Sequence, residues 1–259
     1  MVTLDNVSFR VGTKTLLDSI SVEWALGKMN LIIGPNGAGK STLIKLICKQ
    51  LTASAGTIYF GGKDISLISL ETLATFRSVL SQNSELAFPL KVREVVMMGR
   101  YPHFKNQPTL RDVNATEEAM RFFDIWSFAD RNYLTLSGGE KQRVQFARVL
   151  AQIWYRGESA RYLVLDEPLT FLDIHYQILF MKQLKTLMAD GNLMVIGVLH
   201  DLNLAARFAD TILLLKEGER IASGQPEEVL TKENVRTVFQ LEVEIIKRQK
   251  PNSMHLIFE

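Results

Sequence analysis

Gly34-Pro35-Asn36-Gly37-Ala38-Gly39-Lys40-Ser41 stands between a short apolar run, Met29 to Ile33, and a segment from Ser41 to Gln50 in which Leu43, Ile44 and Ile47 recur at helical spacing. Strand, glycine-rich loop and helix are the context in which G-x-x-x-x-G-K-[ST] binds phosphate. The glycines let successive backbone N–H groups converge on phosphate oxygens, and the helix that follows offers its positive end. Lys40 is placed to reach the β- and γ-phosphates, and the Ser41 hydroxyl to ligate Mg²⁺. A second signal is Tyr162-Leu163-Val164-Leu165-Asp166-Glu167, an apolar strand ending in two acids. Such acids fit the carboxyl edge of an open α/β sheet, where ligands bind. There Asp166 would hold the metal, usually through water, and Glu167 would orient and deprotonate an attacking water. Taken alone the acid pair is a common way to start a helix; beside a phosphate loop it is specific.

Outward from these motifs the chain reads as an α/β protein with a parallel sheet. Val2, Leu4, Ile20, Val22 and Trp24 alternate with polar residues, and Thr57 to Phe60 before Gly61-Gly62 resembles a hairpin arm, so an antiparallel sheet is expected at this end. From about Gln82 to Trp154 helical periodicity takes over, in Val92 to Met98, Thr116 to Trp126 and Glu140 to Ile153, with Pro89, Pro102 and Pro108 as breaks. This is read as an inserted helical subdomain. Strands return at Arg161 to Leu165, Leu193 to Leu199 and Thr211 to Leu215, with helices at Phe171 to Ala189 and Leu202 to Phe208 between them. Leu241, Val243 and Ile245, then Met254, Leu256 and Phe258 on the far side of Pro251-Asn252-Ser253, predict a terminal hairpin. The expected division is one domain over 1–259, with a core lobe at 1–81 and 161–259 and a helical subdomain at 82–160.

Composition narrows the function classes. With 259 residues, 47% hydrophobic and 22% charged, the chain can bury a sizeable core. Thirty basic residues against 28 acidic leave +2, with no run of one sign, so nucleic acid is not an expected partner. A single cysteine, Cys48, excludes an internal disulfide and a cysteine-built zinc site, and Leu46-Ile47-Cys48 reads as helix packing. Met1 to Arg10 carry no apolar stretch of signal-peptide length, so the chain is expected to stay where it is made. Apolar runs such as Leu193 to Leu199 fall short of the ~20 residues that cross a bilayer. Membrane contact would then be peripheral or through another chain.

Leu136-Ser137-Gly138-Gly139-Glu140 opens a helix with a serine cap and two permissive glycines. Together, LSGGE, GPNGAGKS and LVLDE resemble the ATP-binding-cassette family of transport ATPases, in the right order and over essentially the whole chain. The resemblance implies a P-loop ATPase core using ATP and Mg²⁺. It implies nucleotide contacts from Gly34, Pro35, Asn36, Gly37, Ala38, Gly39, Lys40, Ser41 and Thr42, and from Ser137, Gly138, Gly139 and Asp173. It implies catalytic roles for Glu167, His200, which contacts the γ-phosphate, and Gln82, at the start of the helical subdomain. Ser41, Gln82 and Asp166 would be the metal ligands.

In that family the serine-glycine cap of one subunit closes over the phosphate loop of another. One loop and one cap per chain therefore imply a homodimer. Transport would further need two membrane-spanning permease subunits, docked near Gln82 to Arg100, and indirectly a periplasmic or surface substrate-binding protein. The ATPase would lie peripherally on the cytoplasmic face of the inner membrane and touch no cargo itself. Phe88-Pro89, Met98-Gly99-Arg100, Pro102-His103 and His200-Asp201-Leu202-Asn203-Leu204-Ala205-Ala206 resemble the bacterial importers of iron-siderophore, heme and cobalamin. Within these, Val144 to Gln152 and the linker Ile153 to Ala160 look most like the heme-import ATPases. His103 and His175 are read as surface residues and Met97 and Met98 as packing.

Two positions depart from the family pattern. Leu169-Thr170-Phe171 stands where threonine-serine-alanine is common, and Val11 stands where many members stack an aromatic on adenine, with Phe9 the nearby substitute. Two rival readings exist. A soluble cassette clamp acting in translation or DNA repair would usually carry paired cassettes or long inserts. A small-molecule kinase would leave Ser137 to Gly139 and Glu167 without a purpose.

Overall fold

The computed structural model describes residues 1–81, 86–155, 160–170, 172–247 and 254–258. Its strands are β1 (Val2–Val11), β2 (Lys14–Trp24), β3 (Met29–Ile33), β4 (Ala55–Phe60), β5 (Lys63–Asp64), β6 (Arg77–Leu80), β7 (Arg161–Asp166), β8 (Leu193–Val198), β9 (Thr211–Lys216), β10 (Glu219–Gly224), β11 (Val243–Lys247) and β12 (Met254–Phe258). The helices are α1 (Lys40–Ile47), α2 (Leu70–Phe76), α3 (Val92–Met97), α4 (Leu110–Phe122), α5 (Gly138–Gln152), α6 (Ile174–Leu187), α7 (Leu202–Phe208), α8 (Pro226–Val229) and α9 (Lys232–Phe239).

A sheet ordered β10-β9-β3-β8-β7-β6 forms the centre, parallel from β6 through β9 and closed at one edge by antiparallel β10. Its middle strands are apolar throughout because both faces are covered. On one face Leu31, Ile33, Leu163, Leu165, Val195, Ile212 and Leu214 share a core with α3 to α7. On the other Ile32, Val164, Ile196, Leu213 and Leu215 pack with α1 and the antiparallel sheet β2-β1-β4-β5. This is the alternation that a strand dictates. The antiparallel arm, the parallel sheet and the terminal hairpin β11–β12 are those the residue patterns predict.

The helical segment does not keep a core to itself. Phe146 of α5 stacks on Phe180 of α6 with ring centroids 3.7 Å apart, and the buried residues of α3, α4 and α5 join the same cluster as the sheet face. Helix α4 begins at Leu110, six residues before the Thr116 that periodicity suggested, because Thr109 and Asp112 form a capping box. It ends at Phe122, short of Trp126, where Asp124 turns to φ +52°. Helix α6 starts at Ile174 rather than Phe171, capped by Asp173. Strand β6, helix α2 and the segment β10–α8–α9 carried no pattern strong enough to be read from sequence. Gln82 and the turn at 251–253 lie outside the described residues.

The topology puts the carboxyl ends of β3, β7 and β8 side by side. The phosphate loop, the acid pair Asp166-Glu167 and His200 leave the sheet there, in the region where open α/β sheets bind their ligands.

Candidate active site

The phosphate loop is fixed by its neighbours. A Cβ on Gly34 would sit 2.3 Å from the Leu215 carbonyl oxygen of β9, so the backbone at 34 can lie against that strand only as glycine. The Gly218 N–H, in the turn between β9 and β10, donates to Ala38 O at 3.2 Å, and the Asp18 N–H of β2 donates to Gly218 O at 2.9 Å. The loop is thereby tied to β9 and, through the turn, to β2. Gly39 caps α1 at φ +97°, a conformation that L side chains rarely adopt, and this turns the first helical N–H groups outward. No acidic residue occupies the first turn of α1, which leaves its positive end unopposed by its own side chains.

Lys40 is 5% exposed, and its Nζ donates to Gly34 O at 2.8 Å and Pro35 O at 2.9 Å. Burial lowers its pKa, against the pull of Glu167 and then Asp166. Asn36, Gly37, Gly39, Lys40, Ser41 and Thr42 line a cleft of about 470 Å³ together with Glu167. Lys14, Thr15, Leu16 and Glu217 complete its wall and were not anticipated from sequence. The Glu217-Gly218 pair after the apolar run of β9 is the turn signal that would have pointed to them.

Asp166 ends β7 with Oδ1 buried and without a hydrogen-bond partner. Burial raises its pKa, the neighbouring Glu167 adds to the rise, and Lys45, Lys40 and His200 oppose it. An orphaned carboxylate oxygen beside a phosphate loop suits a divalent cation, which supplies the missing partner. Among the described residues no group of three His, Cys, Asp or Glu could hold a metal unaided. A site that relies on one carboxylate, a hydroxyl and phosphate oxygens is a Mg²⁺ type of site.

Glu167 follows at φ +51°, a strained backbone for a non-glycine residue. Its Oε1 lies 2.6 Å from Nε2 of His200, which itself follows β8 and Leu199. The Thr170 hydroxyl donates to Glu167 O, and the Gln177 side-chain amide donates to Leu169 O and Leu172 O. These bonds brace the loop in which the sequence departs from its family pattern. Phe171 lies outside the described residues. The carboxylate of Asp173 accepts from the Tyr176 N–H as the cap of α6, and no part of residue 173 lines the phosphate cleft.

Ser137 caps α5, accepting from the Glu140 N–H at 3.3 Å while the Glu140 carboxylate accepts from the Ser137 N–H at 2.7 Å. That hydrogen bond is the main reason the Glu140 carboxyl is held below its usual range. Ser137, Gly138 and Gly139 do not line the phosphate cleft of their own chain. A Cβ on Gly138 or Gly139 would meet nothing within 4 Å, so packing within the chain does not require glycine there. The Gln142 amide donates to Pro168 O at 2.7 Å and links this helix to the loop after Glu167, a tie not seen in the sequence.

Val11 ends β1 at 59% exposure, opposite Lys14. Phe9 is packed against the core beneath the antiparallel sheet, beside a register shift in β1. His103 and His175 are both exposed, as expected, and Met97 accepts a hydrogen bond from the Thr116 hydroxyl.

Comparison with known proteins gives a single answer. Residues 17–170 match the family described as ABC transporter. The chain is similar to the hemin import ATP-binding protein HmuV of Escherichia coli O157:H7, 37% identical over 259 residues that cover 100% of both chains. It is 42% identical over 245 residues to the protein of the same name from Gloeobacter violaceus, covering 94% of this chain and 89% of the relative. Among solved structures, a metal-chelate type ABC transporter in an inward-facing conformation shares its fold, with TM-score 0.83 and 24% identity over 100% of this chain and 96% of that one.

The buried, unpartnered oxygen of Asp166 makes a prediction about stability. Without divalent ions, Asp166→Asn is expected to raise the unfolding free energy near neutral pH by about 0.5–2 kcal/mol. A carboxyl whose folded pKa is raised destabilises the chain as pH climbs through that pKa, so the gain should shrink as pH falls. Urea denaturation from about pH 4 to about pH 8 reads this directly. A variant no more stable than wild type at the upper end contradicts the account.

Proposed function

The chain belongs to the ABC transporter family, and from that premise we propose that it is the ATP-hydrolysing subunit of a bacterial importer of hemin. The observation that carries the cargo is the end-to-end likeness to the hemin import ATP-binding proteins. Siderophore or cobalamin import is the second reading, since the sequence pattern at 200–206 is one that the heme, siderophore and cobalamin importers share. Cargo does not enter this chain. Residues 82–160 act as the helical subdomain against which two permease subunits dock, and these hold the ATPase at the cytoplasmic face of the inner membrane. Among the described residues no helix is long and apolar enough to cross a membrane.

In the mechanism that the geometry supports, ATP lays its phosphates on the N–H groups of residues 36–42. Lys40 exchanges the carbonyls of Gly34 and Pro35 for phosphate oxygens, which are stronger acceptors for a cation. Ser41 and Asp166, with Gln82, would hold Mg²⁺, which when bound neutralises phosphate charge. Oε1 of Glu167 and Nε2 of His200 lie 2.6 Å apart. When His200 turns Nε2 toward the γ-phosphate, Oε1 of Glu167 is released to orient a water and accept its proton. The water oxygen bonds to the γ-phosphorus, the bond to the bridging oxygen breaks, and ADP leaves with that electron pair.

Ser137 to Gly139 do not line their own chain's cleft and close instead over the cleft of a second copy, so two chains make two sites. The same closure explains how hydrolysis could drive the permeases, since nucleotide binds the closed pair better than the open one.

Reconstituted in proteoliposomes with its membrane subunits, the protein should import hemin in an ATP-dependent manner. Glu167→Gln should retain ATP and lose turnover by ~10²–10⁴-fold, the contribution of a positioned base. Import of cobalamin or a ferric siderophore in place of hemin would move the cargo to the second reading, and wild-type turnover in the variant would remove Glu167 from the mechanism.

Val11 offers a smaller face than an aromatic ring, and Phe9 is engaged in the core. ATP and GTP should therefore bind with similar affinity. Val11→Tyr should tighten ATP about fivefold, toward the ~1–3 kcal/mol that base stacking supplies. Unchanged affinity in Val11→Tyr, together with a large loss in Phe9→Ala, would place the adenine platform at Phe9 instead.

A further inference from the structure

The terminal hairpin is joined to the helix after His200 by one side chain. The Asn203 amide donates to Leu256 O at 3.0 Å, and its carbonyl oxygen accepts from the Leu256 N–H at 2.8 Å. In an antiparallel ladder the N–H and C=O of one residue point the same way. Leu256 pairs with Ile245 of β11 in register, yet both of its backbone groups turn outward to Asn203. The amide thus sits on the free edge of β12 as an extra strand would, while Val243, Met254 and Leu256 anchor the hairpin in the main core.

On its other side Asn203 belongs to the first turn of α7. That turn is capped by Asp201, whose carboxylate accepts from the Leu204 N–H at 2.9 Å. Leu202, Leu204, Ala205 and Ala206 of this helix are buried. His200 is the residue before the cap. Its side chain is 48% exposed, so packing alone does not define its place, and its contact with Glu167 depends on the backbone at 199–201. That backbone is held from one direction by β8, with the Leu199 N–H on Ile32 O at 3.4 Å, and from the other by the first turn of α7.

We propose that Asn203, by clamping β12 to the first turn of α7, is a positioning residue for His200, so that the terminal hairpin takes part in hydrolysis from outside the nucleotide cleft. The proposal rests on the reading of His200 as the γ-phosphate contact. Asn203 does not line the phosphate cleft or the pocket beside Glu167 and His200, so its removal should leave ATP affinity alone and misplace the imidazole. Small misplacements of catalytic groups lower turnover steeply.

Two measurements on the full-length protein test this. In steady-state ATPase assays Asn203→Ala should lower kcat about tenfold with KM for ATP within about twofold. In protein carrying ¹⁵N-labelled histidine, which has four such residues, the His200 imidazole signals, assigned with His200→Ala, should move in Asn203→Ala while those of His103 and His175 stay in place. If Asn203→Ala does not fold, Asn203→Asp keeps the acceptor for the Leu256 N–H and should show the same pattern at smaller amplitude. Unmoved His200 signals, or a loss confined to thermal stability with kcat unchanged, overturn the proposal. Wild-type kcat in His200→Ala would instead remove the histidine from the mechanism, an outcome that the imidazole spectra distinguish from a failure of the clamp.

Discussion

Everything in this molecule depends on holding one short loop, residues 34–39, rigid between a buried strand and a helix. The loop contributes only the Ala38 side chain to the core. It is fixed by backbone contacts, with Gly34 against the Leu215 carbonyl and Ala38 O bonded to the Gly218 N–H, and by the Lys40 ammonium on the carbonyls of Gly34 and Pro35. Strand β3 lies between β8 and β9, so a shift in either neighbour would move the loop. The sheet, covered on both faces, is the stiff body that prevents this. Asp166, Glu167 and His200 then come to the loop because β7 and β8 end beside β3.

At this edge local stability is subordinate to chemistry. Asp166 keeps a buried oxygen without a partner, and Glu167 holds a left-handed backbone that a glycine would tolerate better. Lys40 is buried to a degree that weakens its hold on a proton. Each of these is unfavourable in the isolated chain, and each would be relieved by a ligand with phosphates and a divalent cation. Helix α5 shows the complementary pattern. Its Ser137–Glu140 capping box is complete, so the chain needs nothing more there, yet Gly138 and Gly139 leave open space where a larger residue would fit. A surface left bare in this way suits close approach by something from outside the chain.

Much of this was legible in the residues. The phosphate loop, the acid pair and the serine-glycine cap each have a local physical signature, and the alternation of apolar strands with helices predicted a parallel sheet. What escaped was what depends on distant partners. Strand β6 and helix α2 are short and lack periodicity, and the true start of α4 was set by a capping box rather than by its apolar face. Asp173 reads as a nucleotide contact by resemblance, but within one chain its carboxylate caps α6. The Gln142–Pro168 and Asn203–Leu256 bonds join segments 26 and 53 residues apart, and no spacing rule in one sequence reveals them. The setting of Phe9 was equally hidden: it packs against the core beside register shifts in β1 that no spacing rule reveals.

The account stands on the claim that each nucleotide is enclosed by two chains. Mixing two inactive variants tests it most directly, one with Lys40→Ala in the phosphate loop and one with Ser137→Arg at the cap. If the sites are shared, a mixed dimer holds one site with both defects and one with neither. ATPase activity should then return on mixing, toward about half of a wild-type dimer's two sites per mixed pair if the sites act independently. No recovered activity, with subunit exchange demonstrated, would contradict the shared site.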